Sequence, residues 1–238
     1  MKLLAFETAT EACSVAVWID GVMRERFEIA PRRHAELALP WAEQLLAEAG
    51  IAKSQLDAIA VGRGPGAFTG VRLAIAIAQG IALALDRPVV PVSTLAALAL
   101  ASQRPVVGEQ PTRILAAIDA RMGEVYTAAF AREGEEVVAL SSESVGAPGT
   151  VVLPDDASGW FGVGTGFAAG DGLLQRRLQA RLAGVDAAAL PHAADVARLA
   201  AAAYARGESV SPERAEPAYL RNAVALTIAE QQALRDSR

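Results

Sequence analysis

A pattern near the N-terminus returns in the middle of the chain, and that return limits the folds open to it. Residues 3–6 read as a strand ending in a carboxylate, Glu7; residues 13–19 read as a second strand, and a turn follows at Gly21. Residues 113–118 again read as a strand ending in a carboxylate, Asp119, followed by a strand over 125–131 and a turn at Gly134. Further on, Gly162, Gly164 and Gly166 follow the apolar residues 160–163, as Gly62, Gly64 and Gly66 follow residues 56–61. Residues 168–182 then read as a helix, as residues 70–85 do. Two signals at similar offsets predict a duplicated α/β protein with one half per domain; chance likeness between short hairpins is the competing reading. The boundary falls in the Pro- and Gly-bearing stretch 103–112, giving domains over 1–104 and 105–221 and a closing helix or tail over 222–238.

Composition supports a folded chain. Of 238 residues, 53% are hydrophobic and 21% charged, which disfavours disorder. A net charge of -5 argues against an electrostatic nucleic-acid binder. The single cysteine, Cys13, excludes an internal disulfide and suits a reducing compartment. Glu7 interrupts the first apolar run, so no secretory pattern is expected, and the protein is expected to be cytoplasmic.

Between the repeated signals, Asp20-Gly21 predicts a two-residue hairpin into a strand over 22–29. Residues 31–50 predict a helix that Pro40 kinks or restarts, with Gly50 as its stop. The helix over 70–85 carries apolar residues nearly all round: Leu73, Ile77 and Ile81 form one stripe, Val71, Ile75, Ala78 and Ala82 another. Such a helix is buried, spans a membrane or meets a partner. At about 1.5 Å per residue it falls short of a hydrocarbon core of roughly 30 Å, so no membrane association is expected. A short helix capped by Ser93, a helix over 193–206, a strand over 218–221 and a helix over 223–235 complete the reading.

Three readings compete for Gly62 to Gly70. A P-loop is excluded, because no Lys-Ser or Lys-Thr follows. A dinucleotide fingerprint fits formally as Gly62-x-Gly64-x-x-Ala67, but Pro65 stiffens the turn and Asp86 precedes the next strand. A tight turn seating the helix on its sheet is the plain alternative. Glu7, Thr8 and Thr10 stand where a duplicated α/β ATPase would place a phosphate or magnesium loop, with Asp119 at the matching place in the second half. A carboxylate that merely ends a strand is the competing reading. His34 and His192 are too far apart in sequence for a helical pair and no Cys/His cluster exists, so no metal site is expected. No Gly-x-Ser-x-Gly elbow is present, and Cys13 reads as a buried hydrophobe.

Residues 5–17, His34-Ala35-Glu36, the segment 62–72, Asp119-Ala120-Arg121-Met122-Gly123-Glu124-Val125-Tyr126 and Pro217-Ala218-Tyr219-Leu220-Arg221 together resemble one family. It is the TsaB (YeaZ) family of bacterial tRNA threonylcarbamoyladenosine biosynthesis proteins. The resemblance covers essentially the whole chain. It implies the actin-like ATPase fold, two duplicated mixed-sheet domains, with a degenerate nucleotide site at Glu7, Thr8, Thr10 and Asp119. It implies a non-catalytic subunit that supports the paralogue TsaD, with the ATPase TsaE joining the two, in threonylcarbamoyl transfer to the adenosine beside the anticodon of ANN-decoding tRNAs. No cofactor is expected on this chain; ATP and metal belong to the partner subunits, and tRNA is reached only through the complex. Two departures weaken nucleotide binding: Glu7 stands where relatives often have Asp, and Ala9 where nucleotide-using relatives have Gly. The resemblance also implies a helical interface with TsaD, or with a second copy, through His34, Leu37, Trp41, Leu45, Gly70, Leu73, Ala74, Ile77 and Ile81. The reading from another class is an active ATP-dependent phospho- or carbamoyltransferase that binds Mg-ATP through Glu7, Thr8, Thr10 and Asp119.

Overall fold

The computed structural model describes residues 1–101, 112–134 and 136–221. The expected linker, up to residue 111, and the closing helix therefore lie outside the described residues.

β1 (Lys2–Glu7), β2 (Ala12–Ile19) and β3 (Val22–Ile29) form an antiparallel meander. Asp20 and Gly21 both have positive φ, +48° and +93°, as the tight hairpin between β2 and β3 requires. After α1 (His34–Glu48), β4 (Ala58–Gly62) joins the other side of β1 in parallel. α2 (Phe68–Leu85) crosses over to β5 (Val89–Val92), which lies parallel to β4, so the sheet runs β3-β2-β1-β4-β5. α3 (Thr94–Ala101) closes this half.

The second half repeats the plan. β6 (Thr112–Arg121), β7 (Glu124–Glu133) and β8 (Glu136–Ala139) are antiparallel neighbours, with β9 (Ser144–Gly146) paired to β7. β10 (Trp160–Val163) and β11 (Leu182–Asp186) continue in parallel beyond β6. The order β11-β10-β6-β7-β8 is the first sheet strand for strand, and the duplication read from the sequence is the architecture of the molecule. This is the actin-like ATPase type of fold.

Alternation along β1 divides the first core. Leu4 and Phe6 face α1 and α2, whereas Leu3 and Ala5 face α5 (Ala193–Ala205). Small residues on that second face, Ala16, Ala58 and Ala60, meet alanines of α5 and let helix and sheet approach closely. α5 belongs to the stretch expected of the second half, yet it covers the first sheet. α3 lends Leu95 and Leu98 to the second sheet, and α4 (Ala169–Leu178) covers that sheet's far face through Leu174 and Leu178.

Several boundaries differ from expectation for local reasons. Arg32 is left-handed (φ +69°), so α1 begins at His34, and Pro40 sits inside it without dividing it. The expected helix over 168–182 is shorter. Gly170, Asp171 and Gly172 are all left-handed within α4, and Leu182 belongs to β11, paired with Trp160. The expected strand over 218–221 is instead part of a strap that runs along α2. Val210 exchanges backbone hydrogen bonds with Val89, the Gln79 amide donates to the carbonyls of Pro212 and Ala215, and the Ala218 N–H donates to the Arg63 carbonyl.

Candidate functional site

β1 and β4 run parallel, so both release their chains at one edge of the sheet, the edge at which α/β folds collect ligands. Glu7 ends β1 there, but its side chain turns inward. Oε1 accepts the Ala9 N–H at 2.7 Å and Oε2 accepts the Thr94 hydroxyl at 2.8 Å; the Gly64 N–H in turn donates to Thr94 Oγ1 at 3.2 Å. Burial pushes this carboxyl up to about 7, against the opposing hydrogen bonds from Ala9, Thr94 and Thr8.

The glycine turn rests directly on the loop after Glu7. The Ala67 N–H donates to the Ala9 carbonyl at 2.7 Å and the Thr8 hydroxyl to the Gly70 carbonyl at 2.7 Å. A β-carbon on Gly66 would lie 2.4 Å from the Ala9 oxygen, and one on Gly70 would lie 2.0 Å from the Thr8 oxygen. Glycine is required here for close approach. Thr10 is also turned in: its carbonyl meets His34 Nε2 at 3.0 Å and its hydroxyl accepts the Ala12 N–H. Glu7, Thr8 and Thr10 are thus brought together and buried.

Asp119 lies with Thr10 on the wall of a cleft of about 490 Å³ between the halves, whereas Glu7 and Thr8 do not line it. Its Oδ1 accepts the Arg121 N–H and its Oδ2 pairs with the Arg121 guanidinium, both at 2.8 Å. At the mouth, the Arg72 guanidinium lies 3.3 Å from the centre of the Phe68 ring and donates to the Tyr219 hydroxyl at 2.8 Å. Arg63, in the glycine turn, forms a two-bond ion pair with Glu143 of the second half, at 2.9 and 3.1 Å. The Ser93 hydroxyl joins the same carboxylate. Among the described residues no group of three His, Cys, Asp or Glu is placed to hold a metal.

α1 and α2 lie side by side on the first sheet, and here the expected interface residues separate. Ala74 and Leu45 are corrected to core residues, 0% and 2% exposed. The small-residue stripe of Ala74, Ala78 and Ala82 brings α2 close to its own sheet, and half-buried Gly70 meets the Thr8 carbonyl. Leu73, Ile77 and Ile81 are half-buried, the last two against the core, as are Leu37 and Trp41 of α1; His34 is half-buried on Thr10. The outward strip of α2 is Thr69, Ala76, Gly80, Leu83 and Ala84, with Leu83 at 74% exposure and Phe68 at 62% near one end. Arg72 is the one charged residue between Phe68 and Leu85.

α2 starts two residues earlier than the periodicity predicts, at Phe68. Its 18 residues, at mean hydropathy 1.7, are long and apolar enough to cross a membrane by composition alone. One flank, from Val71 to Ala82, is nevertheless core. Phe68, Gly80 and Leu83 were reachable from the sequence by rotating the chosen stripe about one residue. Arg63 with Glu143 and Arg72 with Tyr219 join distant segments and leave no local signal.

The sequence model of the family described as TsaD, tRNA N6-adenosine threonylcarbamoyltransferase, matches residues 26–235. The chain is 43% identical over 232 residues to the tRNA threonylcarbamoyladenosine biosynthesis protein TsaB of Escherichia coli, spanning 94% of this chain and 96% of that one. It is 40% identical to TsaB of Haemophilus influenzae, spanning 94% and 95%. Among solved structures, YeaZ from Pseudomonas aeruginosa superposes with a TM-score of 0.84 at 48% identity, covering 92% of this chain and 99% of that one.

Proposed function

This chain belongs to the TsaB (YeaZ) family of tRNA threonylcarbamoyladenosine biosynthesis proteins, and from that premise we propose that it is the non-catalytic scaffold of the modification. In this reading it pairs with the catalytic paralogue TsaD, the ATPase TsaE joins them, and the complex transfers threonylcarbamoyl to the adenosine beside the anticodon of ANN-decoding tRNAs. The assembly acts in the cytoplasm. ATP and metal are carried by the partner subunits, tRNA is met only through the complex, and the chain pairs with a second copy of itself when alone. Its domains are residues 1–104 and 105–221, with α5 reaching back across the boundary.

One observation carries this reading: an exposed, largely apolar strip on α2, whose single charge is Arg72 near its start. Thr69, Ala76, Gly80, Leu83 and Ala84 offer apolar surface with little side-chain bulk at its centre, which suits close approach of another helix. Each large aliphatic side chain fully buried there contributes about 1.5–3 kcal/mol. Meanwhile the loops that would flank a phosphate touch each other through Ala67 and Ala9 and through Thr8 and Gly70.

The test is co-purification with the catalytic paralogue, followed by tRNA modification with and without this chain. Asp119, which faces the open cleft, favours a second reading as an active ATP-dependent transferase. Calorimetry of the isolated chain with Mg-ATP separates the two, since micromolar binding supports the transferase.

A further inference from the structure

We propose that the mouth of the cleft between the halves is a docking surface for an acidic segment of a partner protein. Arg32, Arg72 and Tyr219 take its carboxylates, and the apolar floor of the cleft takes a side chain between them. The whole chain has a net charge of -5, yet Arg32, Arg72, Arg121 and Arg221 line this cleft, against Glu11 and Asp119. Asp119 is engaged by Arg121, and Arg221 is matched by Glu124. Arg32 and Arg72 are exposed and have no carboxylate partner among the described residues, whereas Glu11 is half-buried. Uncompensated positive charge on an otherwise acidic protein selects a negative ligand.

Arg72 is already set in place for such a ligand. Its guanidinium lies over the Phe68 ring, one helical turn back, and Nε and Nη2 donate to the Tyr219 hydroxyl at 3.2 and 2.8 Å. That hydroxyl accepts both bonds, so its own proton remains to be donated, and the guanidinium keeps further N–H groups. Arginine donors of this kind meet a carboxylate with paired, charge-assisted bonds. A side chain held beforehand also loses less freedom on binding. Below it, buried Val71 and Ile118 line the cleft, and its volume of about 490 Å³ has room for side chains of a short segment. Phe68 and Tyr219 stand exposed at the mouth. Aromatic residues beside arginine are the usual anchors of a protein interface.

The same groups disfavour RNA. Affinity for nucleic acid grows with the number of phosphates neutralised, and two unmatched arginines beside Glu11 neutralise few. The Phe68 face that a base would stack on is taken by Arg72. A segment with two or three carboxylates matches the surface better. Phe68 also stands near one end of the outer strip of α2, so the two surfaces are continuous. The inference goes beyond the scaffold reading and does not depend on it.

The experiment is fluorescence anisotropy of the full chain with three labelled probes. They are a short peptide alternating Glu with Leu, its counterpart with Gln for every Glu, and a short single-stranded RNA. The wild type is expected to bind the Glu peptide at least about tenfold tighter than either other probe. Arg32→Glu and Arg72→Gln should each remove that preference, while Arg214→Gln, at an exposed arginine outside the cleft, should keep it. Arg32 lies on an exposed turn, so its variant reports even if Arg72→Gln is destabilised. Equal binding of the Gln peptide or of RNA overturns the proposal, as does equal weakening by Arg214→Gln and Arg32→Glu. A full chain that binds no probe, or whose Arg32 serves only self-association in sedimentation, overturns it too. None of these readouts uses the paralogue or tRNA modification, so failure here and failure of the scaffold reading are separate results.

Discussion

Arg63 in the glycine turn and Glu143 in the second half share two hydrogen bonds, at 2.9 and 3.1 Å, and so tie the turn before α2 to the second half. Glu143 keeps 15% of its side-chain surface exposed and Arg63 32%, so the pair is only partly screened by water. Glu143→Gln is expected to cost about 1–3 kcal/mol in denaturant unfolding, because it leaves a half-buried guanidinium without its counter-charge. Arg63→Lys should also weaken the pair, since an ammonium cannot reproduce the fork. An unchanged unfolding midpoint in Glu143→Gln would show that the tie adds no stability.

Glu7 gives the protein a pH dependence of known sign. Its carboxyl stands at about 7 in the folded chain against an ordinary 4.5, so the native state holds the proton to higher pH than the unfolded state does. The stabilisation is complete below pH 4.5, falls between 4.5 and 7, and is absent above; the shift corresponds to about 3 kcal/mol. Glu7→Gln should flatten this decline in urea midpoints measured from pH 5 to 8.

A second titrating pair holds α5 to the first sheet. Glu25 accepts the Ser14 hydroxyl and the Ala194 N–H and meets His192 Nδ1 at 3.0 Å, while the His192 ring stacks on Phe27. The hydrogen bond to Glu25 raises the His192 pKa above its ordinary value, outweighing burial, with Asp195 adding to it and Arg198 opposing. Burial works against the Glu25 charge, but His192, Ser14 and Ala194 together lower its pKa. The Glu25 contribution is lost on acidification below the ordinary carboxylate range; the His192 contribution is lost as pH rises past 6.5. His192→Gln should cost about 1 kcal/mol near pH 6 and progressively less toward pH 8.

The face of α2 is open to direct substitution. Leu83→Glu places charge on the exposed strip and should shift stability by no more than about 0.5 kcal/mol, and Gly80→Arg, with nothing within 4 Å of a Gly80 β-carbon, should gain up to about 1 kcal/mol from helix propensity. Ala74→Leu, by contrast, overfills a position with no exposed surface and should cost about 1–3 kcal/mol. Equal destabilisation by both kinds of substitution, read in thermal melts, would contradict the assignment of faces.

The contrast between Leu83 and Ala74 also shows what the sequence could convey. The duplicated plan was legible because it rests on strand exits and hairpin glycines, which are local; Gly21, Gly62 and Gly66 each stand where the backbone needs them. The existence of α2 was equally plain. Its rotation was not, because a helix apolar on every side has no polar face to orient it, and small residues read as a partner seam in fact serve the helix's own sheet. The direction of Glu7 was hidden for a different reason. It depends on Gly62 and Thr94, which come from β4 and α3. The strap along α2 depends on Gln79 side-chain bonds to carbonyls far along the chain.

The central claim is that this chain supports a catalytic partner through the outer strip of α2. The most direct test measures tRNA threonylcarbamoylation by the catalytic paralogue and the ATPase subunit with wild type, Gly80→Arg or no added chain, alongside the affinity of each form for the paralogue. The account predicts modification with wild type, and with Gly80→Arg a loss of at least tenfold in both affinity and rate by a protein that melts no lower than wild type. Full activity and binding by Gly80→Arg, or modification that proceeds equally without the chain, would contradict it.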